Sequence, residues 1–171
     1  MICGVFFWWL KMDELSLIHK LTDLLKTRQL KIATAESCTG GLIAALLTEL
    51  PGSSAWLERG FVTYSNLAKH EMLGVKPELI QTYGAVSKEV AEAMALGALA
   101  YSAANISLAV TGIAGPDGGS IEKPVGTVWI AWAMTSSPVQ SLHCHFKDAS
   151  RQEVRNLSCH KALEGVINYL S

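Results

Sequence analysis

Ala33-Thr34-Ala35-Glu36-Ser37-Cys38-Thr39-Gly40-Gly41 runs straight into Leu42-Ile43-Ala44-Ala45-Leu46-Leu47. The residues at its start, Lys31 to Ala35, are β-prone, and the run behind it is too rich in Ala and Leu for anything but a helix. A strand therefore empties into a helix, predicted over Thr39–Leu50, through small polar residues. The first N–H groups of a helix have no internal partner and carry the positive end of its dipole, so this spot is expected to hold an anion or a developing oxyanion. Ser37 and Cys38 bring a hydroxyl and a thiol to it.

Working outward, helical spacing of Leu15, Ile18, Leu21, Leu24 and Leu25 predicts a first helix over Asp13–Arg28. Gly60–Tyr64 reads as a second strand. Ser65-Asn66 offers an N-cap for a short helix that Gly74 closes, and Pro77 opens another that ends at Gly84. Ser87 caps a long helix to about Ala104, and Ile106–Thr111 is a strand of the buried type. Gly126–Met134 and Ser141–Phe146 are two further strands, and Ser150-Arg151-Gln152-Glu153 is a capping-box pattern announcing the last helix. This alternation predicts an α/β fold, a three-layer α/β/α sandwich around a mostly parallel sheet with an antiparallel portion.

At 171 residues, 50% hydrophobic and 17% charged, the chain suits one domain with a real core. Residues 13–171 are assigned to it, and residues 1–12 to an extension expected to be disordered or loosely packed. Fourteen basic residues against fifteen acidic give a formal charge of −1, which argues against nucleic acid as a partner. The apolar run Met1–Leu10 is too short to span a bilayer, so no membrane is expected either. Four cysteines without C-x-x-C spacing and no secretory signal indicate free thiols and a cytoplasmic location.

In open α/β sheets ligands bind beyond the carboxyl ends of the strands. Three segments are expected to meet there: Glu36–Gly41, Tyr64–Lys69 and the glycine-rich Thr111–Ser120. Ser37 is either a nucleophile or a plain helix cap. Lys69 is the best base for it: a helix start and burial would both lower its pKa, the alternative being a solvated surface lysine. Tyr64 could orient or relay the proton, or end its strand with the hydroxyl in water. Arg151, with Arg155 one turn on, could hold a phosphate at the start of the last helix, or both could be exposed. Cys38 is a rival nucleophile whose pKa a helix start would lower. A metal site from His143, His145, Cys144, Asp148, Cys159 and His160 lacks the usual ligand spacing, so neither metal nor cofactor is expected.

Ala35–Gly41, Pro51-Gly52-Ser53-Ser54, Glu58–Asn66 with Lys69, Gly84–Ser87, Thr111–Gly119 and Lys123–Val128 together closely resemble the CinA C-terminal domain family, also known as the nicotinamide-nucleotide amidohydrolases, PncC. The resemblance covers about residues 13 to 170, the amidase-like portion of longer CinA proteins. It implies deamidation of nicotinamide mononucleotide to nicotinate mononucleotide and ammonia, a salvage step, by a homodimer without a metal. It implies that Ser37 attacks the carboxamide, that Lys69 is the base and that Tyr64 assists. Glu36, Thr39, Gly40, Gly41, Thr111, Gly112 and Gly115 are then substrate-binding positions, and Arg151 is the basic position that meets the substrate phosphate. Ala149-Ser150-Arg151 replaces the family's common Gly-Asp-Arg, so that arginine is expected to lack an acidic partner. The alternative from another class is a nucleotide-binding module without turnover, acting in competence or damage responses.

Overall fold

The computed structural model describes the backbone from Cys3 and the side chains from Leu15. In chain order it consists of α1 (Cys3–Thr27), β1 (Ile32–Glu36), α2 (Leu42–Leu47), β2 (Leu57–Val62), α3 (Asn66–Leu73), α4 (Pro77–Tyr83), α5 (Lys88–Ala100), β3 (Ile106–Gly112), β4 (Thr127–Met134), β5 (Gln140–His145) and α6 (Arg151–Leu170). The strands form one sheet in the order β2-β1-β3-β4-β5. β1 pairs parallel with both β2 and β3, whereas β4 and β5 join antiparallel. The sheet is thus mixed, and its parallel part is limited to three strands.

Alternation along β3 sorts its side chains between two cores. Ile106, Leu108 and Val110, with Ile32, Val128, Ile130 and Trp132, meet α1, α2 and α6 on one face. Ala35, Ala109, Ala131 and Ala133 meet α5 and the end of α3 on the other. The small side chains of that second face let α5 lie close, and Ser107 Oγ donates a 2.6 Å hydrogen bond to the carbonyl of Ala95 in α5. On its far side α5 is pressed against α3 at Gly97, where a Cβ would stand 2.1 Å from the Leu73 carbonyl oxygen. The three layers expected from the alternation of elements are therefore present.

Element boundaries differ from the sequence expectation in ways that matter. α1 begins at Cys3 rather than Asp13; the packing of its first residues, and so of the 1–12 extension, lies outside the described side chains. α2 is only Leu42–Leu47, not Thr39–Leu50, because Gly40 and Gly41 are left-handed at φ 62° and 93° and break the helical path. α5 ends at Ala100 rather than near Ala104. The last helix starts as expected, with both halves of the Ser150–Glu153 capping box formed. Among the described residues no helix is long and apolar enough to cross a membrane.

Candidate active site

At the carboxyl ends of the three parallel strands lies an open cleft of about 210 Å³. Ser37 and Cys38 follow β1, Tyr64, Asn66 and Lys69 follow β2, and Thr111, Gly112 and Ala114 end or follow β3. Ala85, Val86 and Arg151 complete the lining. Strand order reverses about β1, with β2 on one side and β3 on the other, and crevices open at such a point.

Lys69 is the pivotal side chain. Ser65, not Asn66, caps α3, its hydroxyl accepting from the Ala68 N–H. Lys69 therefore falls one residue deeper in the helix than a cap at Asn66 would put it, and α3 turns it inward until only 1% of it is exposed. Its Nζ lies 3.1 Å from Ser37 Oγ and donates to the carbonyls of Thr63 at 3.0 Å and Tyr64 at 3.4 Å. Burial holds its pKa below the ordinary lysine value. A neutral amine has two N–H bonds and one lone pair. With both N–H groups on carbonyls, the lone pair is left for the Ser37 hydroxyl proton, the arrangement a general base needs.

The turn carrying Ser37 is built differently from the exposed helix start anticipated from sequence. Glu36 is fully buried, and its carboxylate accepts from Gly41, Ile43 and Ala44 N–H at 3.0, 3.1 and 2.9 Å and from the Thr34 hydroxyl at 3.2 Å. The first donors of α2 are thereby taken from inside the protein. Ser37 N–H donates to Val110 O, and Gly40 N–H donates back to Ser37 O, closing a tight turn. Cys38 and Thr39 form its centre, and their N–H groups donate to no oxygen among the described residues.

That change overturns the expectation of an acidic Cys38 thiol. Burial pushes it up to about 11, and the Glu36 carboxylate adds to the rise. It is a neutral thiol packed on Gly112, where a Cβ would come within 3.2 Å of Cys38 Sγ and 2.7 Å of Val128. Thr39 is fully buried, with its hydroxyl unpartnered among the described residues. Thr111 Oγ1 donates to Ala85 O at 2.8 Å and so ties β3 to the cleft wall.

Arg151 and Arg155 part company. Arg151 reaches over the cleft, donating to Gly115 O at 2.6 Å and to the Tyr64 hydroxyl at 3.3 Å. Its partners are thus a carbonyl and a phenol, and Tyr64 meets Lys69 only through its backbone while its side chain stays 64% exposed. Arg155 instead donates to Thr39 O at 2.9 Å, inside the Ser37 turn. Of the groups considered for a metal, His143 stacks at a tilt on Trp129 with ring centroids 4.9 Å apart. Ala114 lies within the expected Thr111–Ser120 segment and Ala85 and Val86 within the Gly84–Ser87 motif, but no chemistry of their own marks these three as lining residues. Sequence reasoning passed over Asn66, whose amide was assigned to capping before the structure gave that task to Ser65.

Residues 14–170 match the family described as CinA, the CinA C-terminal domain. The chain is 50% identical over 145 residues to the nicotinamide-nucleotide amidohydrolase PncC of Enterobacter agglomerans, covering 85% of this chain and 87% of that protein. It is 54% identical over 121 residues to the PncC of Escherichia coli K12, covering 71% and 73%. The crystal structure of the competence/damage inducible protein CihA from Agrobacterium tumefaciens superposes with a TM-score of 0.88 at 50% identity, covering 91% of this chain and 94% of that one. With the fold, the ordered motifs and these relatives in agreement, the chain belongs to the CinA C-terminal domain family.

Proposed function

We propose that the protein is an amidohydrolase that deamidates nicotinamide mononucleotide to nicotinate mononucleotide and ammonia, using Ser37 as nucleophile and Lys69 as base. The observation that carries the chemistry is the 3.1 Å approach of a buried lysine amine to Ser37 Oγ. The substrate rests on the relatives named nicotinamide-nucleotide amidohydrolase.

Ser37 Oγ attacks the carboxamide carbon as its proton passes to Lys69 Nζ. The oxyanion takes a hydrogen bond from Cys38 N–H, a donor on the cleft lining that has no oxygen partner among the described residues. When the tetrahedral species collapses, Lys69 returns the proton to the departing nitrogen and ammonia leaves. Water then adds to the acyl-enzyme, with Lys69 again as base, and Ser37 is released with the carboxylate product. Arg151, poised between the Gly115 carbonyl and the Tyr64 hydroxyl, would redirect its donors to the substrate phosphate. Tyr64 acts by holding Arg151 at the mouth and by its carbonyl on Lys69. A place in pyridine-nucleotide salvage, a cytoplasmic location and a homodimeric state belong to the same reading.

Ammonia release from the mononucleotide tests it. Ser37→Ala and Lys69→Met should each lose on the order of 10⁴-fold or more in kcat. Binding of the mononucleotide with no turnover by the wild type would sink the reading and leave a nucleotide-binding module. Activity that survives in Ser37→Ala would reject the nucleophile.

A further inference from the structure

Resting on the amidase reading, we propose that Glu36 and Arg155 are positioning residues that hold the Ser37 turn as an oxyanion cradle. The turn cannot hold itself, because it ends in Gly40 and Gly41, both left-handed and free of side-chain packing of their own. Five fastenings do the work, one of them the Leu42 N–H on Thr39 O at 3.3 Å, the longest of the set. Its entry is tied by Ser37 N–H to Val110 O, and its two ends are tied to each other by Gly40 N–H to Ser37 O at 3.1 Å. Its exit is tied by Gly41 N–H to Glu36 Oε2, and the middle by Arg155 Nη2 to Thr39 O at 2.9 Å.

Glu36 does more than stabilise a helix. By accepting from Gly41, Ile43 and Ala44 N–H, it occupies those donors inside the protein and fixes the exit of the turn, while Cys38, on the cleft lining, keeps an N–H without an oxygen partner among the described residues. Being fully buried, it reaches substrate only through the turn. Arg155 spends a charged donor on a neutral carbonyl 116 residues away in sequence. α6 does not need that bond, since its own start is closed by the Ser150–Glu153 box. Releasing either fastening lets the peptide units around Cys38 and Thr39 swing, and a displacement of about 1 Å at a reacting centre costs about 10²-fold in rate.

The test compares Arg155→Ala, Arg155→Lys and Glu36→Gln with the wild type in the full chain. Arg155→Ala should lower kcat about 10- to 100-fold with KM within about threefold. The acid limb of the kcat profile should stay in place, because Lys69 is untouched, and Arg155→Lys should restore part of the rate. Glu36→Gln should act in the same direction, since in either orientation its amide NH2 must face at least one backbone N–H donor. A rise in KM with kcat unchanged in Arg155→Ala would make Arg155 a substrate ligand and overturn the proposal, as would an unchanged kcat.

A substrate-independent readout separates this from the amidase reading. Phenylmethylsulfonyl fluoride is attacked at sulfur by Ser37 Oγ, whose proton goes to Lys69 as fluoride departs. Labelling slowed in Arg155→Ala in step with kcat is expected. Slowed labelling in a protein that never deamidates the mononucleotide would keep the cradle and reject the substrate. Equal labelling of variant and wild type would reject the cradle whatever the substrate.

Discussion

Lys69 and Cys38 show how one environment sorts two candidates. Both are buried beside Ser37, and burial disfavours the charged form of each. For the lysine the neutral form is the useful base, whereas for the cysteine the neutral form is the inert thiol. The rate of deamidation should therefore rise with pH as Lys69 loses its proton, with a midpoint below the ordinary lysine value. A kcat profile that is flat from pH 6 to 10 would contradict this. Cys38→Ala should keep kcat within a few-fold of wild type while costing about 1 kcal/mol of stability from the lost packing. Alkylation of Cys38 should be slow below pH 9, since its thiol titrates near 11.

At the level of elements, Lys69 can reach Ser37 only because α3 is pinned against α5. The pin is Gly97, which leaves room for the Leu73 carbonyl at the end of α3. Gly97→Ala puts a methyl 2.1 Å from that backbone oxygen, a clash that neither helix can relieve by a rotamer change. It should destabilise the fold by about 1–3 kcal/mol. Denaturant unfolding would measure this, and kcat should fall as well, because α3 carries the base. A Gly97→Ala protein of wild-type stability would mean the two helices are less tightly held than the structure requires. On the opposite face, Trp132 Nε1 donates to Ala162 O in α6, so the helix that carries Arg151 and Arg155 is anchored to the sheet independently of the cleft.

Across the whole molecule, a lysine depressed by burial makes stability depend on pH. Below its folded pKa, both the folded and the unfolded chain hold the proton, and the folded state bears the full cost of burying charge. Between the folded value and the ordinary lysine value, the unfolded chain binds a proton that the folded one does not, so stability rises with pH through that window. Lys69→Met should remove the cost, making the variant more stable than wild type at neutral pH, with the gap closing as pH approaches 10. Urea midpoints for the two proteins across pH 7 to 10 check this, and a gap that widens with pH would reverse the sign and reject it. Much of the molecule was legible from local patterns. The helix and strand periods, the Gly74 stop and the capping box at Ser150 depend on neighbours within a few residues, and the Ser37–Lys69 pairing was legible from two strand-end segments expected to meet and from motifs in the family's order. By itself, then, the sequence determined the α/β alternation, the three segments that meet and the residues able to do chemistry. Only the tertiary structure decided that Glu36 caps α2 from within, that Ser65 frees Asn66, that Arg155 serves the turn while Arg151 serves the mouth, and that Cys38 is silenced. The physical reason is that these outcomes are set by burial and by hydrogen bonds between segments brought together across the sheet, and no spacing along the chain records which donor will find which acceptor.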